Sequence, residues 1–248
     1  MESLVIYDSK PELRAPIFIE CLPGIGNVGK TAGDFLADSL KAEKFATIYS
    51  KHLPSQVLLD EDNVIEMANN TLWYAKDVNG HDIIFLRGEF QGSTQEGQFD
   101  LCREILDILM GYDVSGIITL GGYGTGAMVE EPKVFGAVSN IEMKKDYEEW
   151  GVEFPSGDPQ TGIIGASGIF LGLGKIHSLP SICLMGETSG YFIDHKSAMA
   201  TVKVLMKRLG VELDLKELQD RSEQIDELTA KVKEIEDRND QDNLGYIG

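Results

Sequence analysis

Positive charge is scarce in this chain of 248 residues: 22 lysines and arginines stand against 41 aspartates and glutamates, a formal net charge of -19. A surface of that sign repels phosphate backbones and anionic headgroups, so nucleic acid and membrane surfaces are poor partners. What remains is a solvated acidic surface or one steered toward a basic partner. Long apolar runs are also missing; none reaches the roughly 20 residues that a bilayer-spanning helix needs. Around the first short apolar run stand Glu2 and Asp8, which is not a secretory signal pattern. Cysteine is rare, and Cys21, Cys102 and Cys183 each fall within an apolar strand or helix pattern. Their wide spacing and odd number predict buried free thiols in a reducing compartment. The four histidines, His52, His81, His177 and His195, have no metal-ligand spacing with one another or with cysteine. No serine sits in a G-x-S-x-G elbow, and Ala166-Ser167-Gly168 lacks that form. These absences together predict a soluble cytoplasmic protein with no metal and no cofactor.

Glycine, by contrast, is plentiful and placed. The stretch Leu22-Pro23-Gly24-Ile25-Gly26-Asn27-Val28-Gly29-Lys30-Thr31 follows an apolar run, Ile17 to Leu22, that reads as a buried strand. It opens Val28 to Leu40, whose apolar positions recur at helical spacing. A strand, a glycine turn and a helix can aim backbone N–H groups at an anion. Gly24, Gly26 and Gly29 satisfy the dinucleotide pattern G-x-G-x-x-G, and Gly24 to Thr31 satisfies the P-loop pattern G-x-x-x-x-G-K-T. Each signature lacks its second half. A P-loop needs an acidic residue at the end of a buried neighbouring strand, and the best candidate, Asp60, begins a tight acidic turn. A dinucleotide site needs an acid about 20 positions on, where this chain has Ser50-Lys51-His52. The competing reading is a turn whose glycines let helix and strand approach closely.

The rest of the chain alternates. Short strands are expected at Leu4–Tyr7 and Phe45–Tyr49, the latter closing a βαβ unit with Ile17–Leu22. Val57–Leu59, Val64–Met67, Thr71–Ala75 and Asp82–Leu86 read as an antiparallel meander, with Asn79-Gly80 as a two-residue hairpin turn. Glu96–Met110 is a helix, Gly116–Leu120 a buried strand ended by Gly121-Gly122, and Ile141–Trp150 a helix. The glycine-studded Ile163–Leu173 reads as a buried helix. Ser181–Met185 is a strand, and His195–Leu209 a helix capped by Asp194. The glycine clusters at Gly24, Gly121 and Gly186 all follow strands and would gather at one rim of a parallel sheet, where α/β folds bind ligands. Glu89 and Glu187, each just past a strand, are the acid–base candidates there. Beyond Val211, Leu218, Ile225 and Val232 fall seven apart with Leu228 and Ile235 beside them, a coiled-coil-like seam. Three parts follow: an α/β domain over 1–210, an amphipathic helix over 211–238 and a tail over 239–248. The fold class is α/β, with a mainly parallel central sheet, an antiparallel meander and helices on both faces.

Five motifs in order carry a resemblance. They are Pro23-Gly24-Ile25-Gly26-Asn27-Val28-Gly29, Leu53-Pro54-Ser55-Gln56-Val57, Gly116-Ile117-Ile118-Thr119-Leu120-Gly121-Gly122-Tyr123-Gly124, Gly165-Ala166-Ser167-Gly168 and Cys183-Leu184-Met185-Gly186-Glu187-Thr188-Ser189-Gly190-Tyr191. From about Leu4 to Leu218 the chain resembles an archaeal member of the proteasome assembly chaperone family, the one named for the second eukaryotic assembly chaperone. The resemblance implies a nucleoside-phosphorylase-like sandwich, a homo-oligomer, binding to proteasome α-subunits and no chemistry of its own. It makes the glycine turn structural, with Lys30-Thr31 completing the P-loop pattern by chance. The resemblance also implies a docking tail. Some members end in a hydrophobic-tyrosine-any tripeptide; here Tyr246 stands third from the end with Gly245 before it, which shifts that register. Leu244, Tyr246, Ile247 and Gly248 are the expected partner-binding residues. The alternatives are an ATPase or other nucleotide-binding protein using Gly24, Gly26, Gly29, Lys30 and Thr31, and a phosphorylase-like enzyme at the glycine-lined rim.

Overall fold

A computed structural model describes residues 3–155 and 162–225. The chain divides into two compact units, Met1–Leu213 and Asp214–Gly248. The first is built on a nine-stranded sheet. In chain order its strands are β1 (Ser3–Tyr7), β2 (Ile17–Cys21), β3 (Glu43–Ser50), β6 (Asn70–Val78), β7 (His81–Gly88), β8 (Gly116–Gly124), β9 (Val134–Val138), β10 (Val152–Glu153) and β11 (Ser181–Thr188). Between β3 and β6 in sequence, β4 (Val57–Leu59) and β5 (Ile65–Met67) form a separate ribbon. Across the large sheet the order is β1-β3-β6-β7-β2-β8-β11-β9-β10. The central strands β7, β2, β8 and β11 are parallel to one another. Antiparallel pairs extend them on one side through β6, β3 and β1, and on the other through β9.

A central parallel strand is covered on both faces, which is why Ile17-Phe18-Ile19-Glu20-Cys21 is buried at every position. Helices α1 (Val28–Ser39) and α5 (His195–Leu209) pack together on one face, α2 (Gln95–Met110) and α4 (Gly165–Ile176) on the other; α3 (Lys144–Glu149) is a short helix beside β10. Val28, Ala32 and Leu36 form the buried stripe of α1 at i, i+4 and i+8. The core under α2 and α4 gathers Phe18, Phe45, Leu72, Ile84, Leu106 and Phe170, with Phe18 edge-on to Phe170 at 5.1 Å. All three cysteines are buried and free, as their sequence context predicts.

Local sequence signals hold closely at several elements. Asp194 caps α5 by accepting the Ser197 N–H at 2.9 Å, and Gly210 ends the helix in the left-handed region. Asn79 and Gly80 turn β6 into β7 with positive φ at both, the form a two-residue hairpin requires. Other expectations need correction. β2 and β3 are not neighbours: β7 and β6 lie between them, because the later hairpin inserts into the gap. β8 runs on through Gly121-Gly122 to Gly124, and β11 through Gly186 to Thr188, since the two strands pair with each other and carry the ladder past the glycines. The helix expected over Ile141–Trp150 divides into a 3-10 turn, Ile141–Met143, and α3. β9 carries no strong sequence signal. In the second unit, residues 216–225 are helical, with Glu217 and Arg221 paired at 2.8 Å. Leu228, Val232, Ile235 and the segment Leu244–Gly248 lie outside the described residues. No helix among the described residues is long and apolar enough to cross a membrane.

Candidate functional site

The glycine loop sits at the carboxyl end of β2, where the loops after β2, β8 and β11 converge. Residues Ile25–Asn27 form a 3-10 turn in which the Asn27 N–H donates to the Gly24 carbonyl at 3.0 Å. Gly26 has φ +60 and lies against Thr188. Gly29, in the first turn of α1, abuts the Leu120 carbonyl so closely that a Cβ would overlap it, and Gly122 meets the Ile25 carbonyl in the same way. Gly24, the first residue of both nucleotide signatures, is exposed with open space where a Cβ would stand. The glycines that matter here are therefore those that let α1 and the strand ends touch. That is a packing role for Gly26, Gly29 and Gly122.

Lys30 is engaged within the chain. Its Nζ lies 2.8 Å from Asp34 Oδ2 and 2.9 Å from Glu89 Oε1, on a half-buried side chain. Burial alone would lower its pKa, but the hydrogen bonds and the negative charge of those two carboxylates together outweigh it and raise the value. Arg87 extends the cluster, with Nε 2.7 Å from Asp34 and its guanidinium over the Trp73 ring at 4.7 Å. Thr31 is half-buried one residue further along α1. Of the acid–base candidates, Glu89 holds Lys30, and Glu187 accepts the Lys133 N–H at 3.3 Å.

Behind the loop lies a carboxyl that belongs to none of the sequence motifs. Glu20 is fully buried; its Oε1 accepts the Leu22 N–H at 3.0 Å and its Oε2 the Ser167 hydroxyl at 2.8 Å. Burial pushes its pKa up to about 7, against the lowering effect of those hydrogen bonds. Gln91 bridges the same region, donating to the Pro23 carbonyl at 2.7 Å and accepting the Ala166 N–H at 2.9 Å. The Asp194 N–H reaches the Gly26 carbonyl at 2.9 Å, and the Thr125 N–H the Thr188 carbonyl at 2.8 Å. Loop is tied to loop across the whole rim. At the opposite end of the strands a cavity of about 430 Å³ opens beside Ser139, Met143, Lys175 and Leu179, with no carboxylate, histidine or cysteine in its lining. Among the described residues no group of three histidines, cysteines or acids is arranged to hold a metal.

Several of the residues that the rim presents outward are apolar. Ile25, Met128, Tyr191 and Ile193 are exposed, Tyr191 to 79%. Ile25 lies over Gly124 and Gly190, where added Cβ atoms would stand 3.3 and 3.1 Å from it. From the connection between β3 and β6 projects the β4–β5 ribbon. Its Val57, Leu59, Ile65 and Met67 are each more than half exposed. Sequence reasoning missed this surface, because a run such as Val57-Leu58-Leu59 carries the same pattern as a buried strand.

Sheet order, helix layers and rim place the chain among α/β proteins, and comparison with known proteins places it more narrowly. The model of the PAC2 family matches residues 18–233, and the chain belongs to that family. Pyrococcus furiosus PbaB, described as an archaeal proteasome activator, is 35% identical with a TM-score of 0.87, over 94% of this chain and 99% of its own. Pyrococcus furiosus PbaA, described as an archaeal homologue of proteasome-assembly chaperone, is 26% identical with a TM-score of 0.79, over 99% and 98%. An uncharacterised protein of Methanocaldococcus jannaschii is 33% identical over 98% of this chain and 96% of its own length. The fold is that of PbaB and PbaA.

Proposed function

We propose that this protein is a non-enzymatic, cytoplasmic proteasome assembly chaperone or adaptor that binds proteasome α-subunits as a homo-oligomer. The observation that carries the reading is likeness over nearly the whole length to PbaB and PbaA, which are described by their relation to the proteasome. The rim supports it. Gly26, Gly29 and Gly122 serve close packing, Lys30 is held by Asp34 and Glu89, and Ile25, Met128, Tyr191 and Ile193 stand exposed. Such a surface suits a protein partner better than a phosphate. The segment with Leu244, Tyr246, Ile247 and Gly248 is proposed as part of the α-subunit contact, and no cofactor is required. Capture of cognate α-subunits by the immobilised full chain, in moderate salt, tests the proposal. A chain that holds no α-subunit but hydrolyses ATP refutes it.

A further inference from the structure

β9 ends where β11 begins, since the two strands are antiparallel with Val138 opposite Ile182. The chain leaves β9 through Ser139 and Asn140 into the 3-10 turn Ile141–Met143. It enters β11 from the end of α4 through His177-Ser178-Leu179-Pro180. Between these two connections lies the cavity of about 430 Å³. Ile141, Met143, Leu179 and Pro180 form its apolar part, and Ser139, Asn140, Lys175 and Ser178 its polar part. Small-molecule sites of this volume pair an apolar wall with a few polar groups in the same way. Ile141 is 75% exposed, so the wall has apolar area left to cover.

The polar part is made of donors. Asn140 Oδ1 accepts the Glu142 N–H at 3.1 Å, which leaves the Nδ2 group to donate. Ser139 Oγ accepts the Ser181 N–H at 2.9 Å, while its own hydroxyl points to Met143 Sδ at 3.8 Å, a weak acceptor. Lys175 has no ion-pair partner among the described residues, in a chain of net charge -19. The carbonyls at the end of α4 are partnered within the chain. Those of Leu173, Gly174 and Lys175 accept the N–H groups of His177, Leu179 and Ser178 at 2.9, 2.8 and 3.2 Å. Ser178 itself has φ +59, just past a helix end, where glycine is the usual residue. A hydroxyl-bearing residue is held there in a conformation it does not favour, and it lines the cavity.

Donors with one lysine as the only charge, and no acid in the lining, fit an anion. One lysine balances one negative charge. A phosphate monoester approaches two negative charges at neutral pH and would leave the second uncompensated in an acidic chain. We propose that this cavity binds a small organic monocarboxylate. The carboxylate lies toward Lys175 and Asn140, with the Ser139 and Ser178 hydroxyls beside it, and the apolar body covers Ile141, Met143 and Leu179. The cavity stands at the opposite end of the strands from the glycine rim, so the proposal does not depend on what the rim holds.

Met143 supplies the reporter. The full chain is labelled with carbon-13 at its methionine methyl groups, and Met143→Leu identifies the Met143 signal by its loss. Hexanoate, hexyl phosphate and hexanol are titrated at neutral pH and constant ionic strength, which varies the charge on one apolar body. Hexanoate is expected to shift the Met143 signal to saturation, binding about tenfold more tightly than hexanol and more tightly than hexyl phosphate. Lys175→Met is expected to weaken hexanoate about tenfold and to leave hexanol unchanged. Ser178→Gly suits the positive φ and removes the hydroxyl, so it is expected to weaken hexanoate severalfold while melting no lower than the parent. The comparison of hexanoate with hexanol needs no variant and stands even where a substitution disturbs the fold. No saturable Met143 shift with hexanoate at tens of millimolar overturns the proposal. Hexanol binding as tightly as hexanoate, or hexanoate binding that Lys175→Met does not weaken, overturns it as well. Hexyl phosphate binding more tightly than hexanoate overturns the assignment to a monocarboxylate.

Discussion

The Ser167 hydroxyl stands 2.8 Å from Glu20 Oε2 and ties the first turn of α4 to the end of β2. The same hydroxyl lies 3.2 Å from the Leu120 carbonyl, so one residue joins a helix to two central strands. Gly165-Ala166-Ser167-Gly168 therefore owes its chemistry to assembly of the rim. The Ser167 hydroxyl is engaged by a carboxylate and a carbonyl rather than an imidazole, and that carboxylate is buried beneath the surface loops.

Glu20 makes stability depend on pH. Its folded pKa of about 7 lies above the ordinary value of 4.5, so between those values the folded state binds more protons than the unfolded state. Stability from this group is fully present below about 4.5 and falls as pH rises toward 7. The shift corresponds to a loss on the order of 3 kcal/mol. Glu20→Gln keeps an acceptor for the Leu22 N–H and can donate to Ser167, which retains the Leu120 carbonyl. The variant is expected to unfold at higher urea than the parent at pH 8 and to lose the advantage at pH 5. Equal differences at both pH values would contradict the buried-carboxylate account.

The glycine loop predicts a graded series. Gly29→Ala places a methyl on the Leu120 carbonyl, backbone that cannot swing away, and is expected to cost about 1–3 kcal/mol. Gly26→Val adds a β-branched side chain at φ +60 against Thr188 and is expected to cost about 2 kcal/mol or more. Gly24→Ala meets open space and is expected to stay within about 0.5 kcal/mol of the parent. Chemical denaturation of the three variants measures the order. A phosphate-binding loop would instead make Gly24 sensitive in ligand binding.

How much of this was legible beforehand differs by element. Asp194 and Gly210 frame α5 with chemistry local to the chain, and Asn79-Gly80 favours positive φ wherever it occurs. The sheet order was not legible: periodicity marks β2 and β3 as strands but does not say that β6 and β7 enter between them. Gly121-Gly122 looked like a strand end because glycine punctuates sequences. In the fold it lets Ile25 approach a continuing strand. The missing partners of Gly24–Thr31 already favoured a packing reading, and Gly26 and Gly29 do lie in close contact with Thr188 and Leu120. Glu20 left a signal, one acid inside Ile17–Cys21, that motif reasoning had no use for. The exposed ribbon left none, since exposure is a property of what fails to pack against a strand.

Lys30→Ala separates the nucleotide reading from the packing reading. It removes the ion pairs to Asp34 and Glu89 while leaving Arg87 on Asp34. The expected result is unchanged α-subunit capture and no melting shift with Mg-ATP in parent or variant. A ligand at 100 times its Kd should stabilise by about 2.7 kcal/mol, well within the reach of a melting experiment. ATP hydrolysis that disappears in Lys30→Ala would contradict the chaperone proposal.

Deletion of residues 244–248 tests whether the globular surface or the last segment holds the partner. Leu244, Tyr246 and Ile247 are apolar residues after a charged stretch, Glu236 to Asn243, and a solvated segment has little need of them. Tyrosine suits a docking peptide because it buries a ring while its hydroxyl keeps a polar partner. In an oligomer each copy brings one such segment, so weak single contacts add through effective concentration. The truncated chain is expected to bind α-subunits about tenfold less tightly, equivalent to about 1.4 kcal/mol, with its oligomeric mass unchanged. Tyr246→Ala should reproduce most of that loss, whereas Leu244→Ala should reproduce less, since the aromatic side chain buries the larger area. Biolayer interferometry on immobilised α-subunits measures all three proteins side by side. If truncation leaves the affinity as it was, the exposed rim of Ile25, Met128, Tyr191 and Ile193 carries the contact, and Tyr191→Ser becomes the variant that must weaken it.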